Sequence, residues 1–182
     1  MKKAIVALFL LMVSIHCQAR HKRHYGRHIA MASAVINNGG AGFGLQYEYV
    51  VNEKKTVSLY IPFMVCITPE PSYTHSINAV MYFINPGFRI FPTSSKGVVR
   101  YSIGLSALMG FGEGRNGDHI ETRADLTSRA VGGLLLVNAL HFQPTTHIRI
   151  SLEIGIGLGS DDQPLTQGNF IGQLSAGLGY RF

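Results

Sequence analysis

The residues best suited to covalent chemistry are a histidine and a serine that are neighbours, His75 and Ser76, with a carboxylate nearby at Glu70. A histidine that takes the proton of a serine hydroxyl turns the oxygen into a nucleophile, and a third group orients the imidazole. Adjacent residues on an extended strand point to opposite faces, which separates the two side chains. The chain thus holds the residue types for nucleophilic catalysis in a spacing that does not favour it.

A second group of reactive side chains lies in the segment EGRNGDHIETRADLTS. Carboxylate oxygens are the ligands that hard divalent cations prefer. The segment has neither the spacing of an EF-hand loop nor a histidine pair, so we interpret it as a solvated loop and predict no metal and no cofactor. The groups concerned are Glu113, Asp118, His119, Glu121 and Asp125.

Between these groups, apolar and polar residues alternate over short segments, which is the two-residue period of a β-strand. In HIRISLEIGIGL, Ile and Leu occupy one face, and His, Arg, Ser, Glu and Gly occupy the other. The first and sixth segments do not alternate cleanly, so the pattern does not assign their faces. We predict eight strands, at 28–36, 43–50, 56–66, 78–91, 98–112, 129–142, 147–159 and 169–182.

The connections between these strands alternate in length. VNEKK, PTSSKG and QPTT are short, whereas ITPEPSYTHSI, EGRNGDHIETRADLTS and SDDQPLTQG are longer. Short turns at one end and longer loops at the other are typical of a transmembrane β-barrel. A soluble barrel would need a polar outer face, and Gly, Ser and Ala make a poor one. The pattern therefore predicts an all-β fold, an eight-stranded antiparallel up-and-down transmembrane β-barrel with its Leu-rich face toward lipid.

The N-terminal residues have the layout of a secretory signal peptide. Two lysines precede an apolar run too short to span a bilayer as a helix, and a small residue stands at Ala19. The alternative is a lipoprotein with its lipid on Cys17, but His16 stands where such signals usually have a small residue. We predict a signal peptide over 1–19, a basic periplasmic tail over 20–27 and the barrel over 28–182.

The net charge of +6 belongs to the leader and the tail, because from His28 onward the chain contains ten Lys or Arg and ten Asp or Glu, whose charges cancel. A neutral folded part argues against nucleic-acid binding. The tail could contact anionic lipid head groups or remain a disordered segment. Cys66 is the one cysteine beyond the leader, so no internal disulfide is expected.

The aromatic residues on the apolar face fall into two bands, as expected for side chains at the two membrane interfaces. The band near the short turns contains Tyr49, Phe88, Tyr101, Phe142, Tyr180 and Phe182, and the band near the long loops contains Phe43, Phe63, Phe111 and Phe170.

The leader, the eight alternating segments, the two aromatic bands and the ending GLGYRF resemble small eight-stranded outer-membrane proteins of the OmpA/OmpX-like type. The resemblance implies a monomer in the outer membrane of a Gram-negative bacterium, with both termini periplasmic. It also implies contact with outer-membrane lipid and lipopolysaccharide, and with the barrel-assembly machinery during biogenesis. In that family the last aromatic residue takes part in recognition by that machinery, so Leu178, Tyr180 and Phe182 would form the assembly signal here.

Six charged residues fall on the predicted inner face: Glu48, Arg89, Arg100, Arg149, Glu153 and Arg181. An eight-stranded barrel has an interior just wide enough for side chains to fill. If PTSSKG closes a hairpin, two of the arginines lie roughly opposite each other and need a carboxylate between them. We therefore predict an Arg/Glu network near the short-turn end, which either plugs the lumen or rearranges as a gate. With four arginines against two glutamates, we expect Arg181 and Arg149 to stay hydrated.

These features predict a non-enzymatic barrel with a plugged lumen, acting in envelope integrity or in surface interaction through its exterior loops. One alternative is an outer-leaflet lipid A deacylase or acyltransferase built on His75 and Ser76, although the His-x-Ser pattern of the deacylases is absent. His141 lies at the other end of the predicted barrel, in the wrong leaflet for that chemistry. The third possibility is a narrow ion channel.

Overall fold

The computed structural model describes residues 26–37, 40–51, 56–71, 76–92, 97–115, 126–161 and 169–182. Among these residues, no helix is long and apolar enough to cross a bilayer. The structure consists of β-strands: β1 (His28–Asn37), β2 (Gly40–Val50), β3 (Val57–Pro71), β4 (Ser76–Ile84), β5 (Gly87–Ile90), β6 (Val99–Arg115), β7 (Leu126–Phe142), β8 (Ile148–Asp161) and β9 (Asn169–Arg181).

The strands form one closed antiparallel barrel. β4 and β5 each pair with β3 and β6, and the other strands pair with their neighbours in sequence. β1 pairs with β9, with Ala34 opposite Ala176. Closure leaves no unpaired edge, which is the condition for a sheet to sit in hydrocarbon. The predicted eight-stranded up-and-down barrel is confirmed, with β4 and β5 together forming its fourth strand.

That fourth strand, predicted as one span over 78–91, is interrupted at Asn85 and Pro86. The ladder is not out of register there, because Ile84 pairs with Phe63 and Gly87 pairs with Tyr60. Proline has no backbone N–H to donate. Pro86 therefore removes one ladder hydrogen bond, and the Asn85 N–H donates to the carbonyl of Pro62 across the gap at 3.1 Å.

One end of the barrel, here called the terminal end, contains the start of β1 at His28, the end of β9 at Arg181 and the connection 143–147, together with the strand ends Val50, Val57, Ile90 and Val99. The opposite, distal end contains the strand ends Asn37, Gly40, Pro71, Ser76, Arg115, Leu126, Asp161 and Asn169. The expectation of an eleven-residue loop at ITPEPSYTHSI is wrong, because β3 and β4 stay paired as far as Pro71 and Ser76. β6 and β7 likewise stay paired to Arg115 and Leu126. Polar composition marks where a strand leaves the apolar zone and does not mark where its backbone pairing ends.

The faces of β1 and β7, which the sequence did not assign, follow the register. Ile29, Met31 and Val35 of β1 point inward, as do Leu135 and His141 of β7. Both strands carry apolar residues on their inner faces as well as their outer faces, which is why the alternation was blurred.

The interior has two halves of different chemistry. Charged and hydroxyl side chains fill the terminal half. A buried apolar cluster occupies the distal half. Its large side chains face glycines on the adjacent strands: Phe83 pairs with Gly110, and Met64 pairs with Gly44. The narrow lumen thus explains the glycine-rich inner face, since two side chains do not fit at one level.

Candidate functional site in the barrel interior

All six charged residues predicted on the inner face are buried, and none is more than 5% exposed. They lie on β2, β5, β6, β8 and β9: Glu48, Arg89, Arg100, Arg149, Glu153 and Arg181. Each lies on the strand parity opposite the lipid-facing Leu and Ile residues, so the two-residue period alone directs the side chains inward.

Two ion pairs form the centre of this group. Arg89 donates to both carboxylate oxygens of Glu153, from Nη1 at 2.8 Å and from Nη2 at 3.3 Å. Arg149 Nη1 lies 3.0 Å from Glu48 Oε2, and Arg89 Nη1 lies 3.8 Å from the same oxygen. The two acids and two of the arginines therefore form one connected network across the lumen. A paired geometry of this kind offsets part of the cost of taking the charges out of water.

Arg89 also lies against an aromatic ring, with its guanidinium carbon 3.9 Å from the centroid of Tyr60. Arg100 lies in the same way on Phe91, at 4.1 Å. Stacking on a ring face stabilises a buried cation. Tyr60 and Phe91, which the sequence reasoning did not assign, are both almost fully buried.

The main lumen residue that sequence reasoning did not assign is His141, which is fully buried on β7 between β6 and β8. Its two ring nitrogens lie 2.8 Å from Ser102 Oγ on β6 and 2.7 Å from Ser151 Oγ on β8. Arg149 Nη2 is 2.8 Å from Nδ1. No usable signal for its direction was present in the sequence, because β7 carries apolar residues on both faces.

Two expectations about the arginines are wrong. Arg89 pairs with Gly104, so it does not lie opposite Arg100, because the β5–β6 ladder ends at Ile90 and Ile103. Nor are Arg149 and Arg181 open to solvent, since each is 1% exposed. Arg149 meets Glu48, whereas Arg181 donates to the carbonyl of Gly26 at 2.8 Å and to the Gln143 side chain at 3.3 Å.

A small cavity separates the ionic network from the apolar half. Its volume is about 10 Å³, and its polar lining includes Gln46, Tyr60, Asn85, Glu153 and Gln173. That is roughly the space needed for one water molecule.

On the outer surface, the predicted band residues point away from the lumen. Tyr49 and Phe142 are half-buried, and the others are exposed: Phe43, Phe63, Phe88, Tyr101, Phe111, Phe170, Tyr180 and Phe182.

The last residue contributes to the seam between β1 and β9. The ring of Phe182 stacks on His28 with centroids 5.7 Å apart, and backbone hydrogen bonds join the same two residues in both directions. The structure thus places the three predicted assembly-signal residues, Leu178, Tyr180 and Phe182, on the outer face of the closing strand.

Several predicted features lie outside the described residues. They include the signal peptide over 1–19, most of the basic tail, His75, and the loop residues Asp118, His119, Glu121 and Asp125. Within the described part of the chain, no group of three His, Cys, Asp or Glu side chains could hold a metal ion.

Comparisons with known proteins give solved structures alone. No protein-family model matches the chain, and no curated protein matches it. The crystal structure of Ail, the attachment invasion locus protein of Yersinia pestis, is 19% identical, with 87% of this chain and 100% of that one covered and a TM-score of 0.53.

Two further structures are similar over nearly their whole length. Neisserial surface protein A is 12% identical, with 85% and 96% of the two chains covered and a TM-score of 0.56. The N-terminal β-barrel domain of Pseudomonas aeruginosa OprF is 10% identical, with 85% and 98% covered and a TM-score of 0.53. Identities this low establish the architecture, and the chain therefore has the fold of the small eight-stranded outer-membrane β-barrels.

Proposed function

We propose that the protein spans the outer membrane of a Gram-negative bacterium as a monomeric, non-enzymatic barrel. In this proposal its function is envelope integrity or surface interaction through the distal loops. The observation that carries the proposal is the contrast between the two surfaces of the wall: a continuous outer face of exposed Leu, Ile and aromatic side chains encloses a filled interior. A wall that exposes Leu134 at 68% and Leu158 at 67% needs lipid against it.

The filled interior directs function to the outside. The Arg89–Glu153 and Arg149–Glu48 pairs cross the lumen, and the cavity beside them holds about one water molecule. Neither a substrate-sized ligand nor a hydrated ion fits there without rearrangement. We propose that the lumen is plugged, with the network as a structural part of its filling, and that ligands and partners meet the distal loops and the outer wall.

The even number of barrel strands puts the start of β1 and the end of β9 at one end of the barrel. We propose that this terminal end faces the periplasm and that the distal end faces outward, toward lipopolysaccharide. In the same proposal, Leu178, Tyr180 and Phe182 are read by the barrel-assembly machinery, and the exposed aromatics sit at the two membrane interfaces. Ail has been crystallised with a heparin analogue, so a barrel of this fold can bind a charged ligand.

Deleting the gene and restoring it in two forms tests the proposal. One form is the full chain, and the other replaces 116–125 with a short turn while leaving the β6–β7 pairs intact. Entry of an apolar dye measures the outer-membrane barrier, and binding of whole cells to purified polyanions or host-cell surfaces measures interaction.

If the shortened form restores the dye barrier but not surface binding, the loop carries the interaction and the barrel supports the membrane. A deletion strain that differs from wild type in neither assay would contradict the proposal. So would a change in the acyl chains of lipid A on overexpression, because that change would indicate an enzyme.

A further inference from the structure

The apolar cluster forms a complete layer across the distal half of the lumen. Its residues come from six of the strand segments, and β2 and β8 contribute glycines that the large side chains cover. The members are between 0% and 6% exposed: Val35, Met64, Cys66, Met81, Phe83, Leu108, Leu135, Val137 and Ile171.

The thickness of this layer follows from strand geometry. Met64 and Cys66 are successive inward residues of β3, as are Leu135 and Val137 of β7. Two residues of an extended strand rise about 7 Å along the strand, which is about 5 Å along the axis of a barrel whose strands tilt by about 40°. An ion that crosses the layer would therefore lose most of its hydration shell over a distance larger than its own diameter. Among the layer residues, the Cys66 thiol, with the Asn37 amide beside it, is the polar group available to replace the lost water.

The terminal half has different properties, because every level of it contains hydrogen-bonding groups. Gln46, Tyr60 and Asn85 each point a polar atom, buried and without a hydrogen-bond partner, toward the water-sized cavity. On the terminal side of this cavity, the guanidinium, carboxylate, imidazole and hydroxyl groups can exchange their hydrogen-bond partners for water or for an ion. Rearrangement in this half replaces one polar contact with another, whereas the apolar layer offers little such replacement.

The charges of the terminal half also favour one sign of ion. Its buried side chains include four arginines and two glutamates, which leaves a formal excess of two positive charges among the described residues. A hydrogen bond to a carbonyl or an amide does not cancel the charge of a guanidinium. A small anion near these groups is stabilised and a cation is repelled.

We propose that the apolar layer, and not the ion-pair network, is the permeation barrier of the barrel, and that the terminal half beneath it is selective for small anions such as chloride. Hydrophobic constrictions close other pores by excluding water. The inference rests on the proposed function in one respect, namely that the barrel spans a bilayer.

Planar-bilayer conductance of the purified, refolded full barrel tests this proposal with a matched pair of variants. Leu135→Ser places a hydroxyl in the middle of the layer, at a side chain that is 0% exposed. Leu134→Ser makes the same change at the next residue, which points to lipid and is 68% exposed. Glu48→Gln breaks the ion-pair network and leaves the layer intact.

We expect Leu135→Ser to raise the frequency of ion steps at least tenfold over wild type, and Leu134→Ser and Glu48→Gln to leave it unchanged. In a potassium chloride gradient, the reversal potential of Leu135→Ser should lie near the chloride equilibrium potential. Adding Arg100→Gln should move the reversal potential toward zero. If Leu135→Ser does not refold, Val137→Thr replaces it, with the outward Val99→Thr as its control.

Ion steps in Glu48→Gln, together with no ion steps in Leu135→Ser or Val137→Thr, would overturn the proposal. The ion pairs would then be the barrier. Wild-type steps as frequent as those of the layer variants, or a cation-selective reversal potential, would overturn it too. Failure of the proposed function is distinguishable, because a protein that does not span membranes would give no heat-sensitive folded band and would not enter the bilayer at all.

Discussion

The close fit between Phe83 and Gly110 gives a quantitative prediction about the lumen. A Cβ built on Gly110 would lie 2.5 Å from both Cδ1 and Cε1 of the Phe83 ring. Carbon atoms in contact prefer about 3.5–4.0 Å, so the ring would have to move by about 1 Å within a packed cluster. Overpacking of this kind costs about 1–3 kcal/mol.

The matched control is Gly132→Ala, because Gly132 points outward from β7 and a Cβ there would meet no atom within 4 Å. Replacing glycine with alanine in a strand also stabilises the fold through the backbone, and this effect cancels between the two variants. We therefore predict that Gly110→Ala is less stable than Gly132→Ala by about 1–3 kcal/mol.

Urea unfolding in lipid vesicles, followed by circular dichroism because the chain contains no Trp, measures the difference. Shortening the clashing ring in Gly110→Ala/Phe83→Leu should recover part of the loss. Equal unfolding midpoints for the two alanine variants would mean that the Phe83 ring does not pack closely against Gly110. That result would refute the packing described for the distal half of the lumen.

Three further predictions concern the ionic network and the terminal end. Glu48→Gln should lower the free energy of unfolding by about 3–5 kcal/mol, because it leaves Arg149 and Arg89 buried with one acid; Glu113→Gln, at a half-buried site near the distal end, is the control for urea unfolding. His141→Phe should cost about 1–3 kcal/mol, since the Ser102 and Ser151 hydroxyls lose their shared partner, and an unchanged midpoint would contradict that role. Phe182→Ala should reduce the amount of barrel in the outer membrane severalfold, as measured by immunoblot, whereas Leu174→Ala on the same outward face of β9 should not.

Periodicity was sufficient to predict the barrel, because a strand that separates lipid from a narrow lumen must alternate. The same rule directed Glu48, Arg89 and Glu153 inward before their contacts were known. It was insufficient for β7, where Leu135 and Val137 are apolar on the inner face and so look like lipid-facing residues.

Contacts between side chains depend on register, which the sequence does not specify. Arg89 and Arg100 looked opposed because a short hairpin was assumed, and a four-residue offset places Gly104 opposite Arg89 instead. The break at Pro86 and the extension of β3 to Pro71 have a similar origin, since both depend on hydrogen bonds to a neighbouring strand.

The measurement that tests the central claim most directly is the gel mobility of the protein from an outer-membrane fraction, with and without heating. The account predicts recovery in that fraction and a band that shifts on boiling, because a closed barrel in which β1 pairs with β9 resists detergent until it is heated. Recovery in the soluble periplasmic fraction, with one mobility before and after heating, would contradict a membrane-spanning closed barrel.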